Sequence, residues 1–322
     1  MPVTVYKSTD GSAPALNGNA GSLCTVLDAI LVNGYGAKAP AGWAIPFTGT
    51  NKRIYRAPSG ALRGYYRVQD DAPRAAPFAD AREARIKGSE AASAIDTQTN
   101  LFPTATQLGN GLFPRKSITA DGTARPWVCV ADARTMYFFA MTGDYVGYAA
   151  FMMGEYYSLK SSADNFNGMV IGRNIEQIAA TPTPLPAQEG LHVLSVLSVA
   201  GAGHYVPRSY QEAGASAVNL GKHGSGAHSL AGLFGLAQYP NPIDAGLYLA
   251  AVWLHEPSAV GILRGRLRGF WHFLHPVGSG VNDGDTWSGS GPLAGKSFIA
   301  IKPTADGLGM FVMETSDTWE TN

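Results

Sequence analysis

Apolar residues follow two patterns along this chain. The first is a helical stripe: Leu23, Val26, Leu27, Ile30 and Leu31 recur at i, i+3, i+4, i+7 and i+8, a spacing that gathers them on one face of a helix. It predicts a short amphipathic helix over 22–33, with Ser22 as its N-cap and Gly34 and Gly36 as its stop. A helix this short is marginal alone, so the stripe must dock on something. The second pattern is a series of short apolar runs separated by turn residues. It predicts strands over 3–7, 53–56, 62–68, 84–89, 127–131, 135–141, 145–153, 169–171, 192–200, 247–254, 260–264, 266–273, 297–302 and 310–314. Trp127 to Val130 and Met136 to Phe139 are near-continuous apolar runs, the mark of strands covered on both faces. Asp132, Ala133 and Arg134 between them read as a three-residue hairpin loop.

The sharpest break in composition is Thr181-Pro-Thr-Pro-Leu-Pro186, where alternating proline stiffens the chain and excludes a central strand. The expectation is therefore a mainly β fold of two β-rich lobes, sandwich- or barrel-like, with one short N-terminal amphipathic helix. An N-terminal β-rich domain would span 1–181, with the helix near 22–33. A C-terminal β-rich domain would span 190–322, and 182–189 would be a Pro-rich linker or long loop. The Gly/Ala/Ser-rich stretch 213–235 gives no assignment.

Composition agrees with short strands and tight turns: 39 Gly, 20 Pro, 14 Tyr, 13 Phe and 6 Trp. Lys+Arg and Asp+Glu are 24 each, so no global charge draws the chain to nucleic acid or to an acidic membrane surface. The same neutrality removes the long-range repulsion that keeps copies apart. Cys24 and Cys129 are too few for a disulfide scaffold or a cysteine zinc site, and are expected as free thiols. The first residues lack a basic n-region and an apolar h-region, and no apolar run approaches the ~20 residues of a membrane span. Synthesis in a cytoplasm without Sec export or membrane insertion is the expectation.

Several strings invite a chemical reading and then fail it. Ser290 to Ser297 ends in Gly-Lys-Ser like a phosphate-binding loop, but position 290 is not Gly and the following residues read as a strand rather than a helix. Gly221 to His228 carries two histidines and a serine, but a nucleophile elbow needs Gly two residues to either side of the serine, where Ser225 has His223 and Ala227. His272 and His275 lie three apart on a predicted strand end, so they face opposite sides and do not share a metal. Asn282 to Asp285 resembles the start of a calcium loop without its closing glutamate, and reads as an Asx turn. Arg264, Arg266 and Arg268 alternate on a predicted strand, placing three guanidinium groups on one face, either solvated or set against an acidic or phosphate-bearing partner. Trp43, Trp253, Trp271, Trp287 and Trp319 are candidates for stacking on sugar rings. No catalytic, cofactor-binding or metal-ligating residue is assigned, and no enzymatic activity is expected.

One resemblance is carried by longer strings. They are Val5-Tyr6-Lys7-Ser8-Thr9-Asp10, Gly21-Ser22-Leu23, Leu27-Asp28-Ala29, Asn33-Gly34-Tyr35-Gly36, Ala41-Gly42-Trp43 and Phe47-Thr48-Gly49-Thr50-Asn51-Lys52, then Arg125-Pro126-Trp127-Val128 and Asp132-Ala133-Arg134-Thr135. Gly284-Asp285-Thr286, Leu293-Ala294-Gly295-Lys296-Ser297 and Glu314-Thr315-Ser316-Asp317-Thr318-Trp319 continue it. Together they resemble the virion structural (minor tail) protein family of tailed bacteriophages. The resemblance implies a subunit of the virion in the tail, the tail tip or baseplate, or the fibres. Its partners would be copies of itself and other phage virion proteins. It supplies no catalytic residues. A receptor- or glycan-binding module at the tail tip, with a host surface glycan or receptor as partner, and a head or neck component are the alternatives. Residues 3–56 would either pack on the chain's own sheet or lend their strand and helix to a neighbour.

Overall fold

The computed structural model describes residues 2–58, 64–71, 80–143, 148–160, 164–174, 191, 202–221, 241, 243, 246–256, 261–275, 280–302, 311–316 and 318–320. The predicted linker 182–189 and strand 192–200 lie outside the described residues, as does most of the loop 221–228. The fold is mainly β: the described strands form three antiparallel sheets.

The central sheet is built on the apolar runs. β1 (Thr4–Lys7) pairs with β7 (Trp127–Ala131), followed across the sheet by β8 (Thr135–Met141), β9 (Tyr148–Glu155), β11 (Gly168–Arg173), β12 (Ala202–Val206) and β13 (Ser216–Ala217). Side chains alternate between its faces, and both faces are covered. Cys129, Met136, Phe138, Phe151, Met153 and Val170 enter one core. Val130, Tyr137, Phe139, Met152, Met169 and Ile171 enter the other. This two-sided burial is why the runs show no polar alternation.

The first core is closed by the N-terminal part of the chain. Helix α1 (Ser22–Asp28) continues into a π-helical turn, Ala29–Asn33, and the stripe from Leu23 to Leu31 is fully buried. A five-stranded sheet packs with it: β2 (Ala44–Gly49), β3 (Lys52–Arg56), β4 (Tyr65–Gln69), β5 (Arg85–Ala94) and β6 (Thr97–Phe102). Tyr55, Tyr66, Val68, Ile86 and Phe102 are its inward residues, and the Tyr66 hydroxyl donates to Gly154 O at 3.1 Å. The strand and helix of 3–56 pack on their own chain.

The second core is closed by the C-terminal sheet, with order β14 (Asn219–Gly221), β15 (Leu249–Glu256), β16 (Ile262–Phe273), β19 (Phe311–Glu314), β18 (Ser297–Ile301) and β17 (Thr286–Ser288), and with β10 (Tyr157–Ser158) also on β16. Leu254, Leu267, Phe270, Ile299, Phe311 and Met313 face the central sheet. Two crossings join the parts either side of 182–189. β12 and β13 complete the central sheet from the C-terminal side, and β10 pairs with β16 from the N-terminal side.

Ion pairs lock the layers where apolar packing alone would leave orientation free. The predicted hairpin loop forms as expected, and Asp132 Oδ1 accepts from the backbone N–H groups of Arg134 and Thr135 at 2.8 and 2.7 Å. Its other oxygen accepts from Arg268 of β16 at 2.7 Å, with both side chains buried. The same guanidinium donates to Thr135 Oγ1 and Glu320 O, both at 2.7 Å, while Trp43 Nε1 donates to Asp132 O at 3.1 Å. Asp132 therefore joins all three layers, through its carboxylate to Arg268 and its backbone carbonyl to Trp43.

The start of α1 departs from expectation. Its N-cap is Gly21 in the left-handed region, which has no side chain to offer. Ser22 is the first helical residue, and its hydroxyl instead donates to Asn17 O at 2.7 Å. Capping comes from the end of β4, where Asp70 Oδ2 accepts from Leu23 N at 2.7 Å. That carboxylate is fully buried, and Lys116, also buried, pairs with it at 2.5 Å. Burial pushes the Asp70 carboxyl up to about 6 in spite of Lys116.

Removing Lys116 strands a buried carboxylate. Lys116→Met is expected to cost about 3–5 kcal/mol in urea unfolding, and adding Asp70→Asn should recover much of that loss. The pH dependence has a defined sign. Because the folded carboxyl titrates near 6 rather than the ordinary 3.8, folding takes up a proton between those values, and this contribution is complete below that window and lost as pH rises through it. Wild-type stability measured against Asp70→Asn should fall from about pH 4 to about pH 6 and be level above.

Candidate functional site

The structure disperses the strings that invited a chemical reading. Arg264, Arg266 and Arg268 do not form a cationic face. Arg264 is buried on Glu256 and the Tyr156 hydroxyl, Arg268 is buried on Asp132, and Arg266 pairs with Glu320 beneath Tyr157 and Trp253. Spacing showed the alternation but not the carboxylates waiting on other elements. His272 and His275 are both buried, and His275 Nε2 accepts from Tyr248 N at 2.7 Å. The Gly-Lys-Ser string leads into strand β18, and Lys296 pairs with Glu314 at 2.9 Å. Asn282 and Asp285 form a turn closed by Asn282 N on Asp285 Oδ2 at 2.7 Å. Trp43 and Trp319 are core residues, while Trp253, Trp271 and Trp287 are half-buried on the C-terminal sheet. Cys24 and Cys129 are buried free thiols.

A different constellation lies on the outer face of the N-terminal sheet. In β4 and β5 the inward residues are Tyr66, Val68 and Ile86, so Arg67, Gln69, Arg85 and Lys87 point outward by the two-residue period. The antiparallel register sets Arg67 opposite Lys87 and Gln69 opposite Arg85, and directly opposed residues have Cβ atoms ~5 Å apart. Three cations therefore share one patch. With Gly109 and Asn110 they line a cleft of about 120 Å³.

The far wall is placed by a turn. Helix α2 (Ala105–Leu108) is opened by a capping box between Thr104 and Gln107. The chain then folds back along β5, where Leu112 and Ile86 exchange backbone hydrogen bonds at 2.9 Å. Gly111 permits this close approach: its φ is 84°, and a Cβ there would lie 2.5 Å from Ile86 O. Gly109 O then accepts from Lys87 Nζ at 2.6 Å, and Asn110 sits beside Arg85.

Electrostatics make the cleft a cationic site. Burial, and then the Arg67 and Arg85 guanidinium groups, hold the Lys87 ammonium below the usual lysine range. Arg67 Nη2 donates to Gln69 Oε1 at 2.9 Å and to Asp96 Oδ1 at 2.6 Å. Lys52 reaches the same Asp96 oxygen at 3.3 Å. Arg67 Nε is buried and has no hydrogen-bond partner among the described residues. Such an arrangement suits an anion with several acceptor oxygens. The signal in the sequence was the alternation Arg67-x-Gln69 and Arg85-x-Lys87 within two predicted strands. Their pairing register, which makes one patch of them, was not visible there.

No protein-family model matches the chain, and no curated protein matches it.

Gly111→Ala should lower the unfolding free energy by at least about 1–2 kcal/mol, because it forces a left-handed alanine against the Ile86 carbonyl. Urea denaturation measures it, and a loss under about 0.3 kcal/mol would show that the turn relaxes freely.

Proposed function

We propose that this chain is a structural subunit of a tailed-phage virion, belonging to the tail, the tail tip or the attached fibres, and that it works through contacts with copies of itself and with other virion proteins. The reading rests on the resemblance of its sequence strings to that family, and one structural observation supports it. The strings that carry the resemblance supply contacts that hold the sheets together, within them and between them. Tyr6 lies in the strand paired with β7, and its hydroxyl donates to Ala39 O at 2.8 Å. Trp43 donates to the Asp132 carbonyl. Asp132 to Thr135 form the loop that receives Arg268. Lys296 and Glu314 pair across the C-terminal sheet, and Trp319 packs on Tyr137 with ring centroids 5.7 Å apart. Residues of this kind hold an architecture together, which is the task of a particle component. Low net charge and internally paired charges also suit a chain packed against copies of itself.

Immunogold labelling of purified particles with antibody to this chain tests the proposal. The expected result is regular decoration of the tail or its appendages at a fixed copy number. Particles without the chain, together with turnover of envelope polysaccharide by the purified protein, would overturn it.

A further inference from the structure

The cleft over β4 and β5 is not required by the assembly reading, and its composition is costly for a purely structural surface. Like charges directly opposite on paired strands destabilise a sheet, yet Arg67 faces Lys87 with Arg85 beside them. The charge on Arg67 is met by one carboxylate, Asp96, which is 59% exposed and is shared with Lys52. The ammonium of Lys87 donates to a neutral carbonyl, Gly109 O. A buried Arg67 Nε has no hydrogen-bond partner among the described residues, and an unmade bond of that kind costs more than an average hydrogen bond gains. Arg67 and Lys87 together thus carry more positive charge than Asp96, shared with Lys52, offsets.

We propose that this cleft binds a phosphate group, either as inorganic phosphate or as a phosphomonoester on a small polar molecule. At about 120 Å³ it falls below the ~300 Å³ of a drug-sized pocket, so it takes one compact group rather than a length of chain. A phosphate brings about −1.5 to −2 charge and three strong acceptor oxygens. It matches the Arg67 and Lys87 donors better than a carboxylate, which brings one charge and two oxygens. The Asn110 amide at the rim adds a neutral donor, and the open side of the cleft leaves room for the remainder of an ester.

Isothermal titration of the full chain at fixed ionic strength tests this, with inorganic phosphate, glucose 6-phosphate and acetate as probes. Phosphate-bearing probes should bind with a dissociation constant of about 1 mM or tighter, and acetate at least about tenfold more weakly, the loss of one charge-assisted contact. Equal binding of the two phosphates assigns the site to the group itself, and tighter binding of glucose 6-phosphate assigns it to an ester. Lys87→Met should weaken phosphate binding about tenfold or more. Asp96→Asn, which removes the carboxylate paired with Arg67, should tighten it, a gain that general damage to the fold does not produce. Absence of phosphate binding up to about 10 mM, wild-type affinity in Lys87→Met, or weaker binding in Asp96→Asn would each overturn the proposal. Circular dichroism confirms that both variants are folded before titration.

Discussion

The constraint on which the rest of the structure depends is that the central sheet is buried on both faces. A strand such as β8, with six of its seven residues buried, has no solvent face. Neither of its two apolar surfaces can be left uncovered without exposing a large continuous patch. The chain meets this by folding α1 and the five-stranded sheet over one face and the C-terminal sheet over the other. The two covers differ in kind: a helix with a five-stranded sheet on one side, a second large sheet on the other. Each buried Phe, Met or Leu contributes about 1.5–3 kcal/mol, and both cores draw on the same strands. Loss of either cover therefore exposes the middle of the molecule to water.

Apolar burial of this kind is strong but undirected, and directed contacts fix how the layers meet. Asp132 and Arg268 are the clearest case, because the carboxylate first closes its own hairpin loop and only then accepts the guanidinium from the opposite sheet. Arg173 and Glu83 form a second buried pair, at 3.0 Å, between β11 and the segment entering β5. Such pairs add little net stability over apolar substitutes, but breaking one is expensive. In this fold they specify layer orientation.

Much of this was legible before any coordinates. The unbroken runs 127–130 and 136–139 announced strands covered twice, and the hairpin between them was read to the residue. The stripe from Leu23 to Leu31 announced the helix, and Gly34 its end. What escaped was set by contacts between residues far apart in the chain. Ser22 has the chemistry of an N-cap, but Asp70, more than forty residues away, does the capping. The three arginines of β16 alternate as expected, yet two are neutralised by Glu256 and Asp132, which nothing near them in the sequence identifies. The cationic cleft needs the register of β4 on β5 and the left-handed turn at Gly111, neither of which a single strand pattern contains. The β2 strand was missed because Pro46 interrupts its pattern, a residue tolerated there because β2 is a sheet edge.

Because both cores draw on the same central strands, residues 3–56, the central strands and the C-terminal sheet should unfold as one cooperative unit. Native-state hydrogen exchange resolved by segment tests it most directly. The amides of α1, of β8 and of β16 should share the same, global protection and lose it together as denaturant is added. Exchange of α1 and β1 at a free energy well below that of β8 would contradict the claim, and would make the N-terminal block an appended arm rather than half of the core.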